Sequence, residues 1–178
     1  MSQLIIKSYS ERLFHFSELS FLDPPAAKQA LVAPAASQGV NWTDEASERV
    51  LELSGCYPYF IQEFGACTWN VAQTNHIDLD AVEHGRVSAI AHLDAGFFKS
   101  RWDRATTKQK EYLTAMAAVE TPLGSATSDI ARRLDTPSNK LAPRRAELIA
   151  RGLIYATRHG RVAFTVPGMG AFITRQQT

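Results

Sequence analysis

The chain is cut at short intervals by residues that start and stop helices, and this punctuation constrains its fold more than any other feature. Asp23-Pro24-Pro25 opens a helix that runs through Leu31 towards Gly39, because proline suits a first helical turn and glycine the position just past the end. Trp42-Thr43-Asp44 caps a second helix, whose Ala46, Val50, Leu51 and Leu53 share roughly one face and which Gly55 can stop in the left-handed conformation. A third is expected from near Pro58, with Phe60, Ile61, Phe64, Cys67, Thr68 and Val71 recurring at helical spacing. Asp78 caps a fourth, with Val82, Ala89, Ile90 and Leu93 as its apolar stripe. No strand pattern is read in this half beyond Leu4 to Ile6.

The second half follows a different pattern. Thr106-Thr-Lys-Gln109 is a capping box opening a helix through Tyr112, Leu113, Met116 and Ala117. Thr127 is read as the cap of a short helix, Ser128 to Leu134, with Ile130, Ala131 and Leu134 inward. After a turn at Asp135 to Ser138 comes a helix ending near Arg151-Gly152, with Leu141, Leu148 and Ile149 buried. Pro143 is expected in or just before its first regular turn, since a proline deeper inside loses a hydrogen bond and clashes. Leu153 to Tyr155 and Val162 to Val166 alternate around Arg158-His159-Gly160-Arg161, a hairpin tip. Three helices followed by a hairpin is the order of a winged helix, in which the third helix can enter a DNA groove.

Charge separates the two halves. Residues 1–98 carry 5 Lys/Arg against 12 Asp/Glu, a net −7, while residues 99–178 carry 14 against 6, a net +8. Opposite signs suggest two modules, the second suited to a polyanion. Within it, Ser138, Asn139, Lys140, Arg144 and Arg145 lie at the start of the third helix, and Arg158, His159 and Arg161 decorate the hairpin tip. Cations there would bind phosphates by counterion release, and arginine could read guanine edges. A solvated face on a winged helix used for protein contacts is the alternative, since fold alone does not fix function. Trp42, Trp69 and Trp102 are then candidate anchors, although helical aromatics more often belong to cores.

Other chemistries find little support. Apolar runs fall far short of the ~20 residues a spanning helix needs, and Met1 to Tyr9 lacks the apolar region of a secretory signal. No membrane partner is expected, and the chain is placed in the cytoplasm. Cys56 and Cys67 stand outside any CxxC pattern, so neither a disulfide framework nor a zinc site is expected from them. Asp80, Glu83, His84 and His92 have helical spacing, but an exposed polar face explains them equally well. No histidine lies near Cys56 in sequence to activate it. The sequence contains no GxxxxGK[ST] phosphate loop and no nucleophile elbow, so no catalytic residue and no metal site is assigned.

The blocks "KSYSERLFHFSELSFL" (Lys7 to Leu22), "ALVAPAASQGV" (Ala30 to Val40), "SGCYPYFIQEFGACTWNVA" (Ser54 to Ala72), "FFKSRWDRATTKQKEYLTAMA" (Phe97 to Ala117), "SDIARRL" (Ser128 to Leu134) and "RRAELIARGLIYATRHGRVAFTVPGMGAFITR" (Arg144 to Arg175) cover nearly the whole chain. Together they resemble the C-terminal half of a prokaryotic AAA-type ATPase family related to STAND and origin-recognition-like ATPases. The resemblance implies a mainly α fold: residues 1–21 as the end of an ATPase core, 22–98 as a helical lid, and 99–178 as a winged-helix domain with its hairpin. It places Cys56-Tyr57-Pro58 at the lid's Gly-x-Pro element, where Tyr57 and Pro58 would lie near adenine in a complete ATPase. Cys56 stands where that family usually has glycine, and a Cβ is strained if the position needs a positive φ. Gly55 could take up the turn instead. Arg12 falls where related ATPases place an arginine that senses a neighbouring nucleotide.

These expectations define a lid and winged-helix module without a phosphate-loop core. ATP and magnesium are implied only with an ATPase core supplied elsewhere, and no cofactor is expected in this chain alone. Its expected partners are DNA and an ATPase core or another protein. A stand-alone interaction module and an inactive ATPase fragment are the alternatives.

Overall fold

Helices begin where a side chain can replace the missing intrahelical acceptor of the first turn. The structure, a computed structural model, describes residues 21–177. Asp23, Thr43, Asp78 and Thr106 each accept a backbone N–H three residues on, and so open α1 (Pro24–Ala36), α2 (Asp44–Ser54), α4 (Leu79–His92) and α6 (Thr107–Ala117). Between α2 and α4 runs α3 (Pro58–Val71), which starts on proline and has no side-chain cap. Two short strands, β1 (Asn41–Trp42) and β2 (His76–Ile77), pair in parallel between the ends of these helices. They correct the expectation of no strand beyond Leu4 to Ile6, a stretch outside the described residues, because each is too short to show an alternating pattern.

From α4 the helical path continues without a break through a π-helical turn, Leu93–Phe98, into α5 (Lys99–Asp103). The change of module expected between Phe98 and Lys99 therefore falls within one rod. Helix α3 crosses α4 at Gly85, where an added Cβ would lie 2.6 Å from the Thr68 Cα. Helices α1 to α4 bury Ala27, Leu31, Val50, Phe60, Ile61, Phe64, Cys67, Val82 and Ala89 between them. Val71, expected on the inward face of α3, is exposed because it lies in the last turn beyond that packing.

The remaining elements run in the order of a winged helix: α6, β3 (Ser125–Ala126), α7 (Thr127–Arg133), α8 (Ser138–Ala150), β4 (Ile154–Arg158) and β5 (Arg161–Phe164). The strands form an antiparallel sheet in the order β3-β5-β4, with His159-Gly160 connecting the hairpin and Gly160 at φ +72°. Gln109, the last residue of the capping box, is buried and does more than cap. Its side chain bonds Glu147 at 3.1 Å and accepts from Arg151 at 2.6 Å, tying the start of α6 to the end of α8. A last helix, α9 (Met169–Arg175), packs Met169, Phe172 and Ile173 against α6 and the π-helical turn. The molecule is mainly helical, a bundle followed by helices with a small antiparallel wing, as the sequence implied. Among the described residues no helix is long and apolar enough to cross a membrane.

Three local expectations change. Thr127 is the first residue of α7, not its cap, and its side chain is used elsewhere. Ile149 is 38% exposed, because only Leu141 and Leu148 of α8 reach the core. Pro143 lies beyond the first turn of α8, inside the helix. It is exposed, as is Asn139 four residues before it, whose carbonyl is the one that loses its helical donor.

Candidate nucleic-acid interface

The candidate interface is built around Thr127. Its N–H and its hydroxyl both donate to the Gly160 carbonyl, at 2.9 and 3.1 Å, which pins the hairpin tip to the start of α7. The same threonine lines a small cleft with Tyr112, Ser138, Leu141, Ala142 and Arg145. The first turns of α8 and the tip of the wing are therefore neighbours across one side chain. No local pattern marked this role, since Gly160 lies 33 residues further along the chain.

On this face Ser138, Asn139, Lys140, Arg158 and His159 are exposed, and Arg144 and Arg145 are half-buried. Among the described residues Lys140, Arg144, Arg145 and Arg158 have no carboxylate partner, unlike Arg49, Arg132 or Arg175. Arg145 approaches Tyr112: burial pushes that phenol above its ordinary pKa, and the Arg145 charge opposes the shift. Arg161 behaves differently from the expectation. It donates to the Gly124 carbonyl at 2.8 Å and is half-buried, so it fastens the turn before β3 instead of standing free at the tip. Beyond its first turn the exposed residues of α8 are Ala142, Pro143, Ala146, Glu147, Ile149 and Ala150, with Arg144 and Arg145 half-buried. The alanines and the proline allow close approach of a backbone and themselves offer no hydrogen bonds to base edges.

A second concentration of positive charge lies at the opposite end of α8. Arg101, Arg104 and Arg151 line an open cleft of about 620 Å³ with Ser100, Gly152 and Leu153. Arg101 lies 3.6 Å from the Phe97 ring centre, and Arg151 donates to the Arg104 carbonyl at 3.1 Å.

At the other candidate site, Tyr57 belongs to an aromatic chain. Its ring meets Phe60 edge-on at 4.9 Å and Phe21 and Phe97 at 6.0 Å each, while Tyr59 stacks on Phe97 at 5.2 Å. Pro58 is the first residue of α3, and the Leu22 N–H bonds the Cys56 carbonyl at 3.0 Å. Gly55 and Cys56 both have φ +56°, so the glycine does not relieve the cysteine. Arg12 lies outside the described residues. Of the polar residues weighed as metal ligands, Glu83 pairs with Arg49 and Arg86, and His84 with Asp80. His92 turns away to Glu63. Those four do not converge. Trp69 is exposed beside half-buried Trp42 on an apolar groove between α1 and α3, whereas Trp102 is half-buried under Lys110.

A family described only as a domain of unknown function (DUF8462) matches residues 95–173, the rod end, the wing and α9. No curated protein matches the chain. A solved structure of a RuvB mutant from Thermotoga maritima is similar at 16% identity with a TM-score of 0.40. The match covers 82% of this chain and 47% of that one, so the chain spans about half the length of that structure.

Proposed function

We propose that the chain is a lid and winged-helix module of an AAA-type ATPase, acting with a nucleotide-binding core supplied elsewhere and meeting nucleic acid through its wing. The observation that carries this reading is the Thr127 pin, which holds the hairpin tip bearing Arg158 and His159 to the start of α7, beside the cleft that Arg145 lines. Unpaired cations gathered on one face bind phosphates by releasing counterions. Phosphate contacts carry no sequence information, so the binding is expected to be weakly sequence-specific. In this reading Tyr57 and Pro58 face the nucleotide of the core, and the aromatic chain through Phe97 links that contact to the rod.

A gel-shift titration of a short duplex across salt concentrations tests the proposal. Affinity should fall steeply with salt and vary little with sequence. Arg144→Glu with Arg145→Glu should reduce binding on the order of a hundredfold and lower the salt slope by about one per lost phosphate contact. No shift at low salt, or a shift indifferent to the double substitution, rejects this face. A protein-interaction module is the second reading, favoured by exposed Trp69 on its apolar groove. Absence of any duplex binding at low salt would turn the assignment towards it.

A further inference from the structure

Glu63 and Cys67 stand one helical turn apart on α3, and His92 reaches the same point from the last turn of α4. His92 Nδ1 lies 2.8 Å from a Glu63 carboxylate oxygen, and the Cys67 sulfur lies 3.6 Å from each of those two atoms. Cys67 is buried at the floor, Glu63 is half-buried, and the His92 side chain is 63% exposed at the rim.

This arrangement does not activate the thiol. A cysteine nucleophile needs a histidine oriented from its far ring nitrogen, but Glu63 and Cys67 compete for the same Nδ1. Burial, followed by the Glu63 charge, pushes the Cys67 thiol above its ordinary value, the opposite of what a reactive thiolate requires.

The spacing fits a different use. A four-coordinate zinc ion with metal–sulfur bonds of about 2.3 Å and metal–nitrogen and metal–oxygen bonds near 2.1 Å sets its ligands apart by fixed amounts. They are about 3.6 Å from sulfur to either lighter atom and about 3.4 Å from nitrogen to oxygen. Both sulfur separations already have that value, and only the Glu63–His92 hydrogen bond has to open, by roughly 0.6 Å. His92 is exposed and free to swing by that amount. We propose that Glu63, Cys67 and His92 form a zinc-class site clamping α3 to α4, with water in the fourth position. Thiolate and imidazole together select a borderline-soft ion over calcium or magnesium. Binding expels the Cys67 proton to solvent, leaves the remaining ring proton of His92 on Nε2 so that Nδ1 is free to ligate, and replaces the Glu63–His92 hydrogen bond with two metal bonds.

The full chain, reduced and stripped of metal with a chelator, is titrated with Co²⁺. A thiolate-to-cobalt band in the near ultraviolet and visible bands of four-coordinate cobalt should saturate at a single equivalent and be bleached by Zn²⁺. Cys67→Ser should abolish the near-ultraviolet band, and Cys56→Ser should leave it unchanged. Because a serine at a buried position can unsettle the fold, His92→Ala at the exposed rim provides the second arm. It should weaken cobalt binding at least ~10-fold. A wild-type chain without the thiolate band, a band lost in Cys56→Ser or kept in Cys67→Ser, or unaltered affinity in His92→Ala would overturn the site.

Discussion

Cys56 shows how much a single residue can reveal and conceal. The resemblance set it where that family usually has glycine, and the structure gives it φ +56° directly after Gly55 at the same angle. Its N–H bonds the Leu51 carbonyl at 3.3 Å, so this left-handed turn is what closes α2 and delivers Tyr57 to the start of α3. A left-handed conformation costs a residue with a Cβ about 1–2 kcal/mol, while glycine gives back about 0.4–1 kcal/mol through its freer unfolded chain. Cys56→Gly should therefore stabilise the fold by about 0.5 kcal/mol, and Cys56→Val should destabilise it by about 2 kcal/mol because β-branching fits that region worst. Urea denaturation measures both, and a valine variant as stable as wild type would show that the turn is not held left-handed. The contacts of Tyr57 were less legible than its place in the motif. Phe97, which its ring meets, is 40 positions away, and nothing local pairs them.

At the scale of elements, caps were legible because they are short-range chemistry: Asp23, Thr43, Asp78 and Thr106 all act as their neighbours in sequence imply. What escaped depends on distant partners. Strands β1 and β2 exist only because Asn41 finds His76, and Thr127 looks like a cap until Gly160 is brought to it. The charge of the candidate interface is readable from its residue types, but the bond from Arg161 to Gly124 is not, since it is set by the sheet. The long rod was hidden because a glycine and two aromatics, Gly96-Phe97-Phe98, look like an ending. Two glycines on that rod make opposite predictions. Gly85→Ala places a methyl 2.6 Å from backbone of α3 and should cost about 1–3 kcal/mol by forcing α3 and α4 apart. At Gly96 an added Cβ meets nothing within 4 Å, so alanine should stabilise by about 0.5–1 kcal/mol through helix propensity. Thermal denaturation of the pair tests whether the rod is continuous: a Gly96→Ala variant that loses stability would place a break there.

For the whole molecule, opposite charges on the two halves suggested separable modules, but the contacts between them are mainly apolar. The Phe98 ring on the rod stacks on Phe172 of α9 at 5.4 Å. Arg175 adds a two-pronged ion pair to Asp94, at 2.6 and 2.8 Å. The magnitudes decide which contact matters. The ion pair is partly exposed, with Arg175 at 43%, so removing it should cost about 1 kcal/mol or less. Phe172 is 1% exposed, and truncating a buried aromatic costs about 3–5 kcal/mol, a large share of the stability of an ordinary domain. If this joint couples the halves, wild-type protein should unfold in one transition, with helix circular dichroism and tryptophan fluorescence coincident. Phe172→Ala should separate the two probes, because Trp42 and Trp69 report the first bundle while Trp102 sits at the joint. Arg175→Ala should shift the single transition only slightly. Two transitions in the wild type would mean that charge, and not the aromatic joint, sets the division of the molecule. A single unchanged transition in Phe172→Ala would mean that the halves are held together elsewhere, with the contact of Pro167 against Gly55 as the next place to cut.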